Sequence, residues 1–284
     1  MATPSPTVRG RRLTTELRRL REQAGLTCED VGQRLECSGT RISRIETGRI
    51  GVRPGDVREL LEIYGVTGAE ADGLVQLARD ARRKGWWHAY GRALPPWFEA
   101  YVGLEADAVW LRDFQPMVVP GLLQTEDYAR AVLRGAPQAG PRADFGAQVA
   151  LRMQRQAILD QASPPQVQVV LGESVLCAQV GSPAVMRAQL RRLASLAGRP
   201  NLTIQVLPLR TAAHVQAVGP FTMLEFADPA DATVVYLEHL TGSLFLEDAD
   251  EVRRYRSVFD HLCAEALGPG QSADLITRAA AEVA

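Results

Sequence analysis

The sequence has few of the features that mark metal proteins, secreted proteins or membrane proteins. Its four cysteines form no C-x-x-C pair, and none lies near a histidine at the spacing of zinc ligands. Free thiols are therefore expected, with no metal and no cofactor. No apolar segment reaches the roughly 18 residues that a membrane-spanning helix needs, so we expect no membrane contact. The first eight residues lack the apolar core of a secretory signal, which makes the cytoplasm the expected compartment.

Catalytic motifs are also missing. The sequence has no G-x-S-x-G, P-loop, H-E-x-x-H or dinucleotide-binding glycine motif. Only Glu238-His239 places a histidine beside an acid, and adjacent strand residues point to opposite faces of a sheet. Glu173, Glu225 and Glu238 lie in or beside expected strands, where surface salt bridges explain them as well as a catalytic cluster would. We predict no catalytic residue and expect that the protein is not an enzyme.

Charge is distributed unevenly along the 284 residues, although the net charge is only −1. Residues 1–84 hold 16 basic and 12 acidic residues, a balance of +4. Residues 85–284 hold 16 basic and 21 acidic residues, a balance of −5. A basic region joined to an acidic body suits a module that faces phosphate groups, although a solvated basic helix would give the same count.

The chain divides into four regions. Residues 1–8 contain two prolines and predict a flexible arm. Residues 9–84 show helical spacing throughout and predict an all-α domain of five helices. Residues 85–97, rich in tryptophan, glycine and proline, predict a junction. Residues 98–284 predict an α+β domain with a roughly five-stranded sheet. Its expected strands are 167–171, 202–207, 221–226, 233–238 and 244–246, and its expected helices are 98–112, 125–134, 144–160, 182–197, 249–266 and 272–283.

The most informative segment is 26–48, LTCEDVGQRLECSGTRISRIETG. Thr27 and Ser38 stand where two short helices begin, as N-cap residues. Gly32 has no side chain, which lets the two helices cross closely. The shared core is expected to consist of Val31, Leu35, Ile42 and Ile45. This pattern predicts two helices that meet at a steep angle. The alternative is a helical hairpin whose polar face only contacts water.

The outer face of the second of these helices carries the residues that we predict to contact base edges, Gly39, Thr40, Ser43 and Arg44. Short polar side chains let such a helix enter a groove about 12 Å wide, and arginine binds guanine edges with two hydrogen bonds. Arg49 and Arg53 follow directly, where phosphates of the DNA backbone would lie.

This segment resembles the lambda-repressor-like, or XRE/Cro, family of helix-turn-helix domains. The resemblance implies double-stranded DNA as the partner and the same base-contacting positions. The predicted contacts to the DNA backbone are Thr27, Cys28, Ser38, Arg41, Thr47, Arg49 and Arg53. Two residues depart from the family pattern. Cys28 stands where the family often has glutamine. Glu36 stands where the turn often has glycine, and a left-handed backbone there would cost about 1 kcal/mol.

The remainder of the chain resembles actinobacterial regulators of the XRE family that are described as antitoxin-like. Four segments carry this resemblance: 119–130 (VPGLLQTEDYAR), 152–156 (RMQRQ), 205–208 (QVLP) and 219–226 (GPFTMLEF). The resemblance implies a regulatory domain that pairs with a small partner protein, and an autoregulatory role at the nucleoid. We expect a homodimer, because paired recognition helices fit half-sites one DNA turn apart.

Several questions stay open at this point. The second domain could instead sense a small molecule, or the helix-turn-helix could bind only proteins. Trp86, Trp87 and Trp97 could line a ligand pocket, although packing between domains is the preferred interpretation. Residues Pro120-Gly121 could shape a partner groove or form a turn before a helix capped by Thr125.

Overall fold

The computed structural model describes residues 8–81, 85–90, 95–135, 144–210, 218–228 and 231–283, which form two compact units. The first unit comprises the described residues up to 89 together with 95–107, and the second comprises residue 90 and the described residues from 108 onward. Residues 1–7 of the predicted arm and Lys84 lie outside the described residues, and so does His214.

The first unit contains the five helices that the sequence predicts. They are α1 (Val8–Gln23), α2 (Cys28–Arg34), α3 (Gly39–Glu46), α4 (Pro54–Tyr64) and α5 (Gly68–Ala81). Glycines with a left-handed backbone follow three of them, with φ of +69° at Gly25, +66° at Gly48 and +76° at Gly65. Only glycine adopts this conformation without a steric penalty, so these residues fix where the helices stop.

The core of the first unit is built from the apolar stripe of each helix. Its most deeply buried side chains, each at most 3% exposed, include Leu13, Leu17, Val31, Ile42, Ile45, Val57, Leu60 and Leu61. All eight are aliphatic, and they recur at three- and four-residue spacing. A short 3-10 helix (Trp86–Tyr90) and α6 (Pro96–Asp107) follow. The described residues 95–107 belong to the first unit, whereas the sequence places the start of the second domain at residue 98.

The second unit is built on a mixed sheet of six strands. They are β1 (Trp110–Gln115), β2 (Gln166–Gly172), β3 (Leu202–Leu207), β4 (Phe221–Glu225), β5 (Val234–His239) and β6 (Gly242–Leu246). The strand order is β3-β2-β1-β4-β5-β6. Strands β3, β2 and β1 are parallel to one another, β4 is antiparallel to β1, and β5 and β6 continue the antiparallel half. The α+β prediction is confirmed.

Helices cover this sheet and connect its parallel strands. They are α7 (Glu126–Gly135), α8 (Phe145–Arg155), α9 (Ser174–Cys177), α10 (Pro183–Leu196), α11 (Ala249–Glu265) and α12 (Pro269–Glu282). Short 3-10 helices occur at Gly121–Leu123 and Gln156–Asp160. The crossover from β2 to β3 passes through α10 and joins two parallel strands. Among the helices described, none is both long and apolar enough to cross a membrane.

The expected helix at residues 98–112 is wrong at its end, because α6 stops at Asp107 and the chain enters β1. Leu111 and Phe114 are 1% and 0% exposed. Three residues apart in a strand, their side chains lie on opposite faces of the sheet. Both faces of β1 are therefore buried at these positions, and apolar residues three apart are also what a buried helix shows. The expected five strands are therefore six, and the missed one lies in the middle of the sheet.

Candidate nucleic-acid interface

The start of α2 is fixed by a reciprocal pair of hydrogen bonds. The backbone N–H of Asp30 donates to the Thr27 hydroxyl oxygen at 3.1 Å, and the backbone N–H of Thr27 donates to the Asp30 carboxylate at 2.8 Å. These bonds satisfy N–H groups that the helix itself leaves open. The Thr27 hydroxyl also donates to the Asp30 carboxylate at 2.6 Å, and this bond, together with that from the Thr27 N–H, lowers the pKa of Asp30. The predicted N-cap at Thr27 is confirmed.

The two helices of the motif cross in close contact at Gly32. A Cβ atom placed on Gly32 would lie 2.8 Å from the carbonyl oxygen of Cys37 and 2.8 Å from the backbone nitrogen of Gly39. Real Cβ atoms do not approach backbone atoms this closely, so only glycine fits. The predicted reason for glycine at this position is confirmed.

The turn between α2 and α3 closes with two backbone hydrogen bonds. The N–H of Cys37 donates to the carbonyl of Gly32 at 2.8 Å, and the N–H of Glu36 donates to the carbonyl of Gln33 at 3.3 Å. This is a Schellman motif with Glu36 at its left-handed position, where φ is +52°. The turn therefore keeps the backbone that favours glycine, and Glu36 carries the expected strain.

The third helix presents a polar face to solvent while its apolar face anchors it. The backbone N–H of Arg41 donates to the Ser38 hydroxyl oxygen at 3.3 Å, which caps the helix. Ile42 and Ile45 are 1% and 3% exposed and lie in the core. The exposed side of α3 and its cap consists of Ser38, Thr40, Arg41, Ser43, Arg44 and Thr47. We call Thr40, Ser43, Arg44 and Thr47 the polar face of α3.

Two of the predicted contact residues do not belong to the exposed surface. Gly39 is buried against α2, because a Cβ atom there would overlap the Glu29 carboxylate. The Cys28 side chain is half-buried, with its sulfur 3.9 Å from a Glu46 carboxylate oxygen. Burial and this carboxylate raise the pKa of the Cys28 thiol. Gly39 therefore serves the close helix crossing and has no side chain to offer a base edge, and the Cys28 side chain faces inward. Contact of either residue with DNA stays a prediction.

The remaining predicted residues are exposed, and some of them already have protein partners. Arg41 forms an ion pair with Asp56 of α4, with 3.0 Å between Nη2 and Oδ2. The Thr47 hydroxyl donates to the carbonyl oxygen of Ser43 at 2.8 Å, which leaves its lone pairs available to a donor. In the part of the chain that the structure describes, no carboxylate pairs with Arg44, and Arg49 and Arg53 likewise have none.

A buried ion pair holds the end of α3 against α1, and no pattern in the sequence indicates it. Arg21 donates from Nε and Nη2 to the two carboxylate oxygens of Glu46, at 2.7 and 2.9 Å, and from Nη1 to the carbonyl of Leu26 at 2.7 Å. The side chains of Arg21 and Glu46 are 11% and 4% exposed. The Glu46 hydrogen bond raises the pKa of Arg21. Two-point binding fixes the orientation of α3, on which the polar face depends.

The other titratable groups offer no comparable site. The pair that most resembles a catalytic arrangement is His88 with Glu99, where 2.7 Å separates Nδ1 from a carboxylate oxygen. Among the described residues, no serine or cysteine is hydrogen-bonded to His88. Glu225 lies between two arginines, Arg112 and Arg256, as a salt bridge rather than in a carboxylate cluster. Across the ranges given above, no group of three His, Cys, Asp or Glu side chains is arranged to hold a metal ion.

The alternatives left open for residues Pro120-Gly121 are partly resolved. The backbone N–H of Tyr128 donates to the Thr125 hydroxyl oxygen at 3.3 Å, which makes Thr125 the cap of α7.

Trp87 is 7% exposed and contacts the edge of Trp86, with ring centroids 5.9 Å apart. The burial of Trp87 is explained by packing against neighbouring side chains.

Comparison with known families agrees with this geometry. The family profile described as "Helix-turn-helix domain" matches residues 12–74, which run from the first turns of α1 to the middle of α5. That match supports a DNA-binding regulator. No curated protein and no solved structure matches the chain. The profile described as "Domain of unknown function (DUF5753)" matches residues 98–278, more than half of the chain. The chain therefore belongs to the DUF5753 family and carries a helix-turn-helix domain before the family's own domain.

Proposed function

We propose that this protein is a sequence-specific transcriptional regulator of the XRE/Cro type, in which α3 enters the major groove of double-stranded DNA. One observation carries the proposal. The polar face of α3 is exposed on a helix whose opposite side is anchored by buried isoleucines and a buried ion pair. A rigid helix with short polar side chains and an arginine suits direct contact with base edges.

Each exposed residue has a role in this proposal. Thr40, Ser43 and Arg44 contact base edges, with Arg44 placed to bind a guanine through two hydrogen bonds. The positions that contact the DNA backbone are Thr27, Ser38, Arg41, Thr47, Arg49 and Arg53. To reach a phosphate, Arg41 exchanges the Asp56 carboxylate for it, which lowers its net contribution relative to Arg49 and Arg53.

The broader biological role is inferred from the sequence resemblance, and the homodimer is inferred from the two-fold symmetry of paired half-sites on DNA. We infer an antitoxin-like, autoregulatory repressor that acts as a homodimer, pairs with a small partner protein, is not an enzyme, and lies in the cytoplasm at the nucleoid. A dimer would place two α3 helices about 34 Å apart, on half-sites separated by one turn of DNA. The motifs of residues 119–130 and 152–156 support this role.

Binding of the full chain to its own promoter duplex tests the proposal. Fluorescence anisotropy over a salt series should give a log–log slope of about −0.9 for each neutralised phosphate. Arg49→Ala should reduce that slope by about 1 per protomer bound, because one phosphate contact is lost. The matched control is Arg18→Ala, which removes an exposed arginine from α1 that pairs with Glu22. A slope near zero for the wild-type chain would refute DNA binding.

A further inference from the structure

A dense polar network holds the segment 121–125 of the second unit. The side-chain amide of Gln156 donates to two backbone carbonyls of this segment, at 2.8 and 2.9 Å. The amide of Gln189, which is 0% exposed, donates to a third carbonyl at 2.9 Å and accepts a backbone N–H at 2.7 Å. Arg192 in turn donates to Gln156 at 2.7 Å. These contacts come from α10 and from the short helix that follows α8, and they make the segment rigid.

Arg152 of α8 forms a hydrogen bond with the same segment, and its partner there is a neutral side chain. Its Nη1 donates to the side-chain oxygen of Gln124 at 2.9 Å. Gln124 is 2% exposed and is itself fixed, because its side-chain nitrogen donates to the carbonyl of Val119 at 2.7 Å. Arginine carries five N–H donors, and this bond uses one of them. No carboxylate within the described ranges forms an ion pair with Arg152.

A second guanidinium lies beside the first. A Cβ atom placed on Gly121 would lie 3.5 Å from Nη1 of Arg155 and 3.8 Å from Nε of Arg152, so both arginines border the Gly121 backbone. Arg155 is 6% exposed and has interactions of its own. The nearest acidic influence on Arg152 comes from Glu238 of β5, whose carboxylate accepts the Tyr236 hydroxyl at 3.1 Å.

The charge of Arg152 is therefore poorly balanced. Burial and the neighbouring Arg155 lower the pKa of Arg152 to about 10, and Glu238 opposes this only in part. A largely buried guanidinium such as that of Arg152 is costly unless an anion accompanies it. Arg152 and Gly121 each keep part of their surface exposed. The phosphates of a rigid duplex would fit a protruding cation better than this recessed pair.

We propose that Arg152, beside the backbone at Gly121, binds the carboxylate or phosphate group of a small anionic metabolite. The guanidinium of Arg152 supplies parallel N–H donors to two oxygens of the anion, and the rigid segment 121–125 holds it in place. Binding here makes the second unit a small-molecule sensor, which goes beyond the proposed regulatory function. Because the site lies outside the helix-turn-helix, it is measured without DNA, and its failure leaves the DNA-binding proposal untouched.

Titration calorimetry on the full, dialysed chain tests the site, with ionic strength held constant by sodium chloride. The probes are inorganic phosphate and succinate, each up to tens of millimolar, which separate phosphate from carboxylate recognition. We expect saturable binding of at least one probe to the wild type, and at least about tenfold weaker binding to Arg152→Gln. Arg253→Gln is the matched control, because it removes an exposed arginine of α11 that pairs with Asp250, and it should bind as the wild type does.

A second variant covers the case in which Arg152→Gln does not fold, as judged by circular dichroism. Arg152→Lys keeps the positive charge but loses the planar pair of donors, so it should fold and bind about tenfold more weakly. Absence of saturable binding of both probes to the wild type would overturn the proposal. Equal affinity of the wild type and either folded Arg152 variant would overturn it as well.

Discussion

Replacing Gly32 by alanine should destabilise the first unit, although alanine is the better helix former. The new Cβ would lie 2.8 Å from the Cys37 carbonyl oxygen, 2.8 Å from the Gly39 nitrogen and 3.0 Å from the Ser38 carbonyl carbon. All three are backbone atoms, which cannot rotate away. Overpacking of this kind costs about 1–3 kcal/mol, and helix propensity returns about 1 kcal/mol. With three close contacts we expect the upper end, a net loss of about 1–2 kcal/mol.

The matched control is Gly73→Ala in α5, where a Cβ atom would meet nothing within 4 Å. Only helix propensity acts there, so alanine should stabilise the unit by up to about 1 kcal/mol. Thermal unfolding of the full chain, followed by circular dichroism, measures both. For a domain of this size, each kcal/mol moves the melting temperature by roughly 4–8 °C. The two substitutions should therefore shift the transition of the first unit in opposite directions.

DNA affinity provides a second readout for the same pair. Displacing α3 from α2 moves the polar face of α3, so Gly32→Ala should bind its promoter more weakly than Gly73→Ala. If both variants melt at or above the wild-type temperature, the close crossing does not require glycine, and the inference from the contact distances is refuted.

Three further predictions concern the same domain. Glu36→Gly should raise the free energy of unfolding by about 1 kcal/mol, because glycine adopts the left-handed backbone at +52° without strain; urea titration measures it. Glu46→Gln should lower that free energy by about 3 kcal/mol, because Arg21 loses its buried counter-charge. In the folded chain at neutral pH, iodoacetamide should alkylate Cys28 more slowly than the exposed Cys177, because the pKa of the Cys28 thiol is raised.

Each of these predictions has a clear contrary result. Unchanged stability of Glu36→Gly would show that the turn relaxes in solution. A loss below about 0.5 kcal/mol for Glu46→Gln would place this ion pair with weak surface pairs. Equal alkylation rates for the two thiols in the folded chain, with both reacting fully after unfolding, would contradict the inward position of Cys28.

Local signals made the helix-turn-helix predictable from the sequence. The caps at Thr27 and Ser38, the stop at Gly48 and the small residue Gly32 each act within a few residues of the chain. Their physical reasons are backbone hydrogen bonding and steric exclusion, which depend little on distant parts of the fold. The identity and limits of α2 and α3 could therefore be predicted closely.

Contacts between distant residues set the details that the sequence could not provide. The Arg21–Glu46 pair joins residues 25 positions apart, and the Cys28–Glu46 contact joins residues 18 apart. Helical periodicity places Gly39 near Thr40 and Ser43, but the burial of Gly39 depends on Glu29 of the neighbouring helix. Side-chain contacts of this kind follow from the packing of two helices and leave no periodic pattern.

The most direct test of whether the polar face of α3 contacts bases is to select, from a pool of duplexes with random sequences, those that the full chain binds. The wild type and Arg18→Ala should enrich the same near-palindromic sequence. Arg44→Ala should lose about 1–3 kcal/mol of discrimination, roughly 5- to 150-fold, while its affinity for unselected duplex changes far less. Enrichment of the same sequence to the same degree by all three proteins would contradict base contact by this helix.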